Sequence, residues 1–359
     1  KKRFTSQMSI SLKKNEKVEN ALVIGSGSIG QRHIKNLRAL GIENIVSLRT
    51  KNGYTKELPE SLGVEEVFSL SDAISRKPDI AIVSNPTSMH LETSNQVLPY
   101  IKGIFIEKPL SNSINGCRDL VESCYKKRVV GFIAHNLLFH PIVKSIKEFF
   151  NKNDLGRIIN IQLQVGQWLP DWHPEEDYRQ SYFSRLDLGG GVALTLIHEI
   201  YLAIEFLGIP KEVFGYMLDD DSLEVDVDVI SDLMIKHEGN AISQIHLDYL
   251  QKSSHRSGIM SCENGWIAYD FNSSKVTACK LDDSEPETIW SEMTYDNNNM
   301  YVEQLETFID FVEEGRIKHN YDLSKSLDSL NVIEALRESN ENGKNIIVKP
   351  LLESNYFGT

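Results

Sequence analysis

Four groups of residues in this chain have the types and spacing to do chemistry. Gly25, Gly27 and Gly30 follow an apolar run, Ala21–Ile24, and precede a helical pattern with Ile34, Leu37 and Leu40 on one face. Lys108 stands between Glu107 and Pro109, directly after the apolar run Ile104-Phe105-Ile106. Thr195, His198 and Glu199 are polar exceptions in the apolar stretch Val192–Leu207. The segment from Trp168 to Tyr182 interleaves Trp168, Trp172 and Tyr178 with Asp171, His173, Asp177 and Arg179.

A strand, a G-x-G-x-x-G turn and a helix, in that order, make a pyrophosphate-binding turn. Gly25 permits the tight turn, Gly27 lets a pyrophosphate approach the backbone, and Gly30 lets helix and strand pack closely. The helix N-terminus adds unpaired N–H groups and a partial positive charge. Gly25, Ser26, Gly27, Ser28, Ile29 and Gly30 are therefore the candidate dinucleotide-binding turn. Hydride transfer to a carbonyl leaves developing negative charge on oxygen. An ammonium such as that of Lys108 stabilises this charge and can help deliver the proton. On one helix, Thr195, His198 and Glu199 would share a face. His198, with an ordinary pKa close to neutrality, is a candidate acid/base there. The aromatics Trp168, Trp172 and Tyr178 offer faces to a sugar ring. Asp171, His173 and Arg179 offer groups for hydroxyls or an acid, so the loop is a candidate wall of a substrate site, with Asn136 and Thr195 as further contacts. Each group also has a structural alternative: a solvated lysine, a satisfied core histidine, or a rigid surface loop packed on its own aromatics.

These residues need elements to position them. A second strand, Asn44–Thr50, follows the first helix, and its end carries Arg49 where NAD sites carry a carboxylate for the ribose 2′-hydroxyl. A guanidinium binds a 2′-phosphate in a fork. With Ser47, Thr50 and Lys51 around it, Arg49 predicts NADP(H) in preference to NAD(H); the alternative is a solvated arginine. Ile80–Ser84 is a further strand, ending in Asn85-Pro86-Thr87, and His90 starts the next helix. Ser71-Asp72 is expected to cap a helix that includes Ala73 and Ile74. Strands alternating with helices predict a parallel, doubly wound sheet with ligands beyond the strand carboxyl ends. Asn85, Pro86, Thr87, His90, Glu107 and Lys108 join the cofactor set on that ground. A strand over Val129–Ala134 leads into His135-Asn136 at the same edge.

After Pro141 the pattern changes to a period of two. Ile159/Ile161/Leu163/Val165, Val225/Val227/Val229 and Ile245/Leu247/Tyr249 each alternate with polar residues, the signature of strands with one buried face. The expected fold class is α/β: an N-terminal Rossmann doubly wound parallel sheet plus a C-terminal α+β domain with an open, mainly antiparallel sheet. Residues 1–17 are expected to be a mobile extension, 18–140 the NAD(P)-binding domain and 141–359 a domain for substrate and oligomerisation. Its final helices, Met300–Glu314 and Leu323–Asn340, are free to pack back on the first domain in this reading. A net charge of −13 argues against nucleic-acid or anionic-membrane partners. Cys117, Cys124, Cys262 and Cys279 show no metal-ligand spacing, so free thiols, no metal and a cytoplasmic setting are expected.

With Gly25–Gly30, Glu107-Lys108-Pro109 and Gly189-Gly190-Gly191 in this order, the chain resembles the Gfo/Idh/MocA oxidoreductases from about Val18 to Lys349. The resemblance implies a nicotinamide cofactor, a sugar, sugar-nucleotide or polyol substrate, and a homodimer or homotetramer formed through the open sheet. It makes Lys108 both cofactor-adjacent and catalytic. The Trp168–Tyr182 run, followed by Gly189–Ile200, is similar to a branch found in surface-glycan and nonulosonate (sialic-acid-like) pathways. The chain departs from the family in having Thr195 where most members carry Asp. Tyr201 and Leu138 stand where that branch would have Asp and Arg. Threonine cannot act as a carboxylate base. Either the catalytic set is reduced to Lys108 and His198, or the protein is a sensor or assembly subunit that binds the dinucleotide without turnover. A glycosidase of the NAD-dependent kind is a third reading.

Overall fold

The computed structural model describes residues 17–50, 58, 60–152 and 155–351. Residues 1–16 of the expected extension, and Lys51, lie outside the described residues. The first half alternates strands and helices: β1 (Asn20–Ile24), α1 (Ser28–Ala39), β2 (Asn44–Leu48), β3 (Glu65–Val67), α2 (Leu70–Ser75), β4 (Ile80–Val83), α3 (His90–Val97), β5 (Gly103–Glu107), α4 (Cys117–Lys127) and β6 (Val130–Ala134). The strands form one parallel sheet in the order β3-β2-β1-β4-β5-β6. The order reverses between β1 and β4, which is the topological switch point of a doubly wound sheet. The central strands are buried on both faces, and their near-continuous apolar runs reflect that. The cap of α2 is corrected by one turn position. Ser69, in extended conformation, accepts from the Asp72 backbone N–H at 3.1 Å, so Ser71 and Asp72 lie inside the helix.

The second half runs α5 (Pro141–Lys152), β7 (Ile158–Gly166), α6 (Val192–Thr195), α7 (His198–Leu207), β8 (Pro210–Leu218), β9 (Ile230–His237), β10 (Ile242–Asp248), β11 (His255–Cys262), β12 (Gly265–Asp270), β13 (Lys275–Lys280), β14 (Glu287–Ser291), α8 (Asn298–Glu314), α9 (Lys325–Asn342) and β15 (Ile346–Ile347). Its nine strands form one sheet, β14-β13-β12-β11-β7-β10-β9-β8-β15. Every pair is antiparallel except β7 with β10. One face is covered by helices: a Cβ on Gly215 of β8 would meet Leu336 of α9. The other is open, and Tyr216, Met234 and Ile259 are exposed on it. α8 turns back on the parallel sheet, where the Phe308 ring meets Phe105 and Phe132 at 5.6 and 5.7 Å. Among the described residues no single helix is long and apolar enough to cross a membrane.

Two elements differ from the sequence expectation. Val225/Val227/Val229 is not a strand, since β9 begins at Ile230. Val227 and Val229 are buried, but the alternating aspartates accept hydrogen bonds from the backbone around α6 instead of lining a strand face. Asp226 Oδ1 accepts from Leu186 N–H, and Asp228 Oδ2 from Ala193 N–H, each at 2.9 Å. The stretch Val192–Leu207 is not one helix: it breaks after Thr195 and resumes at His198, bent by 48°. Thr195 and His198 therefore do not lie on one continuous helix face.

Candidate active site

The carboxyl ends of β1, β2, β4, β5 and β6 meet α6, α7 and β11 in one mouth. At its floor the glycine turn is locked by contact. Gly25 has φ +87°, and a Cβ there would sit 2.5 Å from the Asn85 backbone nitrogen. A Cβ on Gly30 would lie 2.0 Å from the Gly25 carbonyl oxygen, so helix and strand can be this close only without it. A Cβ on Gly27 would meet nothing within 4 Å, which leaves room for a phosphate at the backbone. No side chain caps α1, so its first N–H groups stay available. Ser28 and Ile29 form its first turn, and Ser26 Oγ bonds to Ser47 Oγ of β2. These features fit a dinucleotide pyrophosphate.

Asn85, Pro86 and Thr87 follow β4 beside this turn. The Asn85 side-chain amide donates to Thr93 Oγ1 at 2.9 Å. His90 is corrected from ligand contact to strut. It is buried, and its two ring nitrogens bond the Pro109 and Asn85 carbonyl oxygens, each at 2.8 Å, tying the β4 and β5 ends together. Glu107 is buried against His33 of α1, with Nε2 to Oε1 at 2.6 Å. This pair joins the glycine-turn helix to the segment carrying Lys108. Arg49 is also buried and pairs with Glu66, while Thr50 is exposed.

Lys108 Nζ donates to the Thr195 carbonyl oxygen at 2.7 Å, which brings the first sheet and α6 together at one atom pair. Burial pulls its ammonium down to about 8, against the opposing pull of Glu107 and aided by Arg256. At that value a lysine can both hold and release a proton near neutral pH. His198 is buried, and its pKa lies well below the usual histidine range, first from burial and then from Lys108, Arg256 and His135. The expected near-neutral titration is thereby corrected: His198 is a neutral imidazole in this setting. The Thr195 hydroxyl is buried with no hydrogen-bond partner among the described residues, while its carbonyl pairs with Lys108.

Residues 20–135 match the family described as "Oxidoreductase family, NAD-binding Rossmann fold", and residues 143–268 match the "GFO/IDH/MocA C-terminal domain". The chain belongs to the Gfo/Idh/MocA family. It is 25% identical over 194 residues to an uncharacterized oxidoreductase of Streptococcus pneumoniae serotype 4, covering 53% of this chain and 51% of that protein. It is 24% identical over 195 residues to a 2,7-anhydro-N-acetylneuraminate hydratase of Mediterraneibacter gnavus, covering 53% and 50%. The chain thus spans about half the length of these curated relatives. Among solved structures, a levoglucosan dehydrogenase in complex with NADH superposes with a TM-score of 0.83 at 16% identity, over 93% of this chain and 100% of that one, a likeness of fold.

Within this Gfo/Idh/MocA fold the candidate substrate residues divide. Trp168, Asp171, Trp172 and His173 surround a hollow of about 500 Å³ with Lys252 and Ser254. Lys252 lies 5.2 Å above the Trp168 ring and 3.3 Å from Asp171. The residues lining this hollow include neither Lys108 nor His198. Tyr178 and Arg179 lie outside the lining of this hollow and tie the loop to its neighbours. The Tyr178 hydroxyl donates to the Leu223 carbonyl at 3.1 Å, and the exposed Arg179 bonds Asp177 and Glu224. Asn136 is buried and donates to Met300 Sδ at 3.6 Å.

Sequence reasoning passed over Arg256 and Glu66, and it placed His135 at this edge without its neighbours. Arg256 of β11 pairs with the fully buried Glu199 at 2.8 Å and reaches the electrostatic neighbourhood of Lys108 and His198. Burial raises the Glu199 carboxyl even with this partner. Glu66 holds Arg49, and His33 holds Glu107. His135 is stacked on Tyr201 at 3.5 Å and stands edge-on to His198 at 5.9 Å. Both its ring nitrogens, and the Tyr201 hydroxyl, are buried without a hydrogen-bond partner among the described residues. Burial and Lys108 take His135 down to about 3. No local sequence signal marks these pairs, because each partner lies on a different element.

Proposed function

We propose that this chain is a nicotinamide-dependent oxidoreductase acting on a CH–OH group, or the matching carbonyl, of a sugar, nucleotide sugar or nonulosonate-like substrate. The observation that carries the reading is Lys108: a lysine tuned to about 8, at the carboxyl end of β5, in the same mouth as a glycine turn with room at Gly27. The turn from Gly25 to Gly30 and the Asn85–Thr87 segment would hold the dinucleotide, whose nicotinamide supplies or accepts hydride when bound. Lys108 places a positive charge and a transferable proton at the substrate oxygen, with the Thr195 carbonyl fixing its direction. His198 hydrogen-bonds the substrate as a neutral imidazole. Because the Lys108 charge is one cause of its low basicity, His198 becomes a better proton acceptor as Lys108 gives up its proton.

Arg49 supports NADP(H) over NAD(H), since it stands at the end of β2 where a 2′-phosphate would come. A relative named for 2,7-anhydro-N-acetylneuraminate supports the nonulosonate-like substrate class. We place the division between cofactor and substrate domains at His140/Pro141, and the protein in the cytoplasm, in keeping with its four free cysteines. The open sheet is the proposed homo-oligomer face. A groove of about 700 Å³ runs across it, floored by Phe214, Met234, Gln244, Gln162 and Ile259 in register on adjoining strands.

The test is a panel of sugars, sugar acids and nucleotide sugars offered to the purified protein with NADP(H), read by the absorbance of the reduced nicotinamide. Turnover on any member supports the reading. A second reading, dinucleotide binding without turnover, is favoured by Thr195: it meets Lys108 through a carbonyl oxygen, which supplies no carboxylate base. Tight NADPH binding with no absorbance change across the whole panel would select it.

A further inference from the structure

We propose that Glu66 of β3 sets how strongly this protein distinguishes a dinucleotide bearing a 2′-phosphate from one without it. The proposal rests on the reading of the β1–α1 turn as a dinucleotide site. Arg49 follows β2 directly, and its backbone N–H donates to the Val67 carbonyl at 3.0 Å, so the end of β2 is sewn to β3. In that register Ser47 lies opposite Glu66 and Leu48 opposite Val67. The neighbouring strand therefore delivers the Glu66 carboxylate to the Arg49 guanidinium, and the two form an ion pair. The Arg49 side chain is only 5% exposed, whereas that of Glu66 is 31% exposed, so solvent and ligand reach the pair from the carboxylate side. The same edge is continuous with the glycine turn, because Ser47 Oγ bonds Ser26 Oγ.

This arrangement changes what Arg49 can do. An arginine whose fork already faces a carboxylate is not a bare cation. A 2′-phosphate must displace Glu66 or share the guanidinium with it, and at short range the two anions repel. A ribose 2′-hydroxyl meets no such conflict, since it is neutral and can donate to a carboxylate. Glu66 thus works against the selectivity that Arg49 provides and narrows the gap between the two dinucleotides. With glutamine at this position the guanidinium keeps a neutral acceptor of the same shape. The carboxylate charge that competes with the phosphate is then gone.

Dissociation constants of NADPH and NADH, measured by calorimetry or tryptophan fluorescence on the full chain, test this without reference to turnover. Glu66→Gln should tighten NADPH by about tenfold and leave NADH within about threefold. The double variant Glu66→Gln/Arg49→Gln should lose that gain. Glu66→Asp, which keeps the charge, should resemble the native protein and shows whether the site tolerates substitution. An unchanged NADPH-to-NADH ratio in a folded Glu66→Gln variant, or equal tightening of both, overturns the role of Glu66 while leaving the cofactor reading intact. Failure of the native protein to bind either dinucleotide overturns the cofactor reading, and this proposal with it.

Discussion

The two walls of the mouth differ in how their polar groups are satisfied. Around the glycine turn, almost every one has a partner inside the protein: Ser26 with Ser47, Arg49 with Glu66, His90 with two carbonyls, and Glu107 with His33. His33 Nδ1 and Asn85 Oδ1 are the exceptions. At the corner between β6 and α7 the balance is reversed. Both nitrogens of His135 and the Tyr201 hydroxyl are buried and unbonded, and His198 is held neutral beside them. A buried polar group without a partner costs about 1–3 kcal/mol. The wall around the glycine turn is therefore largely satisfied as folded. The opposite wall spends stability on groups that a substrate or an ordered water can satisfy.

This contrast can be broken most directly at the atom pair joining the walls. Lys108→Ala should lower turnover by about 10²-fold or more, while the dissociation constant for NADPH changes little. Near-normal turnover would remove Lys108 from the chemistry. The pH profile sharpens the point. Lys108 stabilises negative charge and donates a proton only in its charged form. The rate of carbonyl reduction should therefore be sustained below pH 8 and fall about tenfold per unit above it. A profile flat through that region would mean that another group supplies the proton.

Smaller effects probe each wall separately. On the finished side, His33→Ala strips Glu107 of its buried partner and should cost about 1–3 kcal/mol in denaturant unfolding, with His33→Gln recovering part of the loss. On the unfinished side, His135 makes stability pH-dependent. Its folded pKa of about 3 lies below the unfolded value, so the unfolded chain binds the proton first as pH falls. The contribution is fully present above about pH 6.5 and declines below it, by at most about 2 kcal/mol on reaching pH 5. His135→Gln should flatten that decline in thermal unfolding measured across the range. An equally steep decline in the variant would assign the acid sensitivity elsewhere.

Much of the fold was legible in the sequence because its signals are local. Glycine spacing, period-two alternation and the apolar runs each report on a few consecutive residues. They foretold the parallel sheet, the open sheet and the placement of Lys108 at a strand end. The misreadings arose where extended or helical pattern continues but tertiary hydrogen bonds redirect the backbone. Val225–Val229 keeps its alternation yet bonds the backbone of Leu186 through Asp226 and that of α6 through Asp228, and the apolar stretch after Val192 breaks before His198.

By itself, then, the sequence determined the strand, turn and helix around Gly25–Gly30 and the strand end that carries Lys108, because these are fixed by short-range spacing. Only the tertiary structure decided their state. Glu66 on Arg49, His33 on Glu107 and Arg256 on Glu199 join different elements, the last two across 74 and 57 residues of chain. Burial then sets the protonation of Lys108, His135 and His198. Desolvation and long-range ion pairing depend on which surfaces meet, and no stretch of sequence carries that by itself.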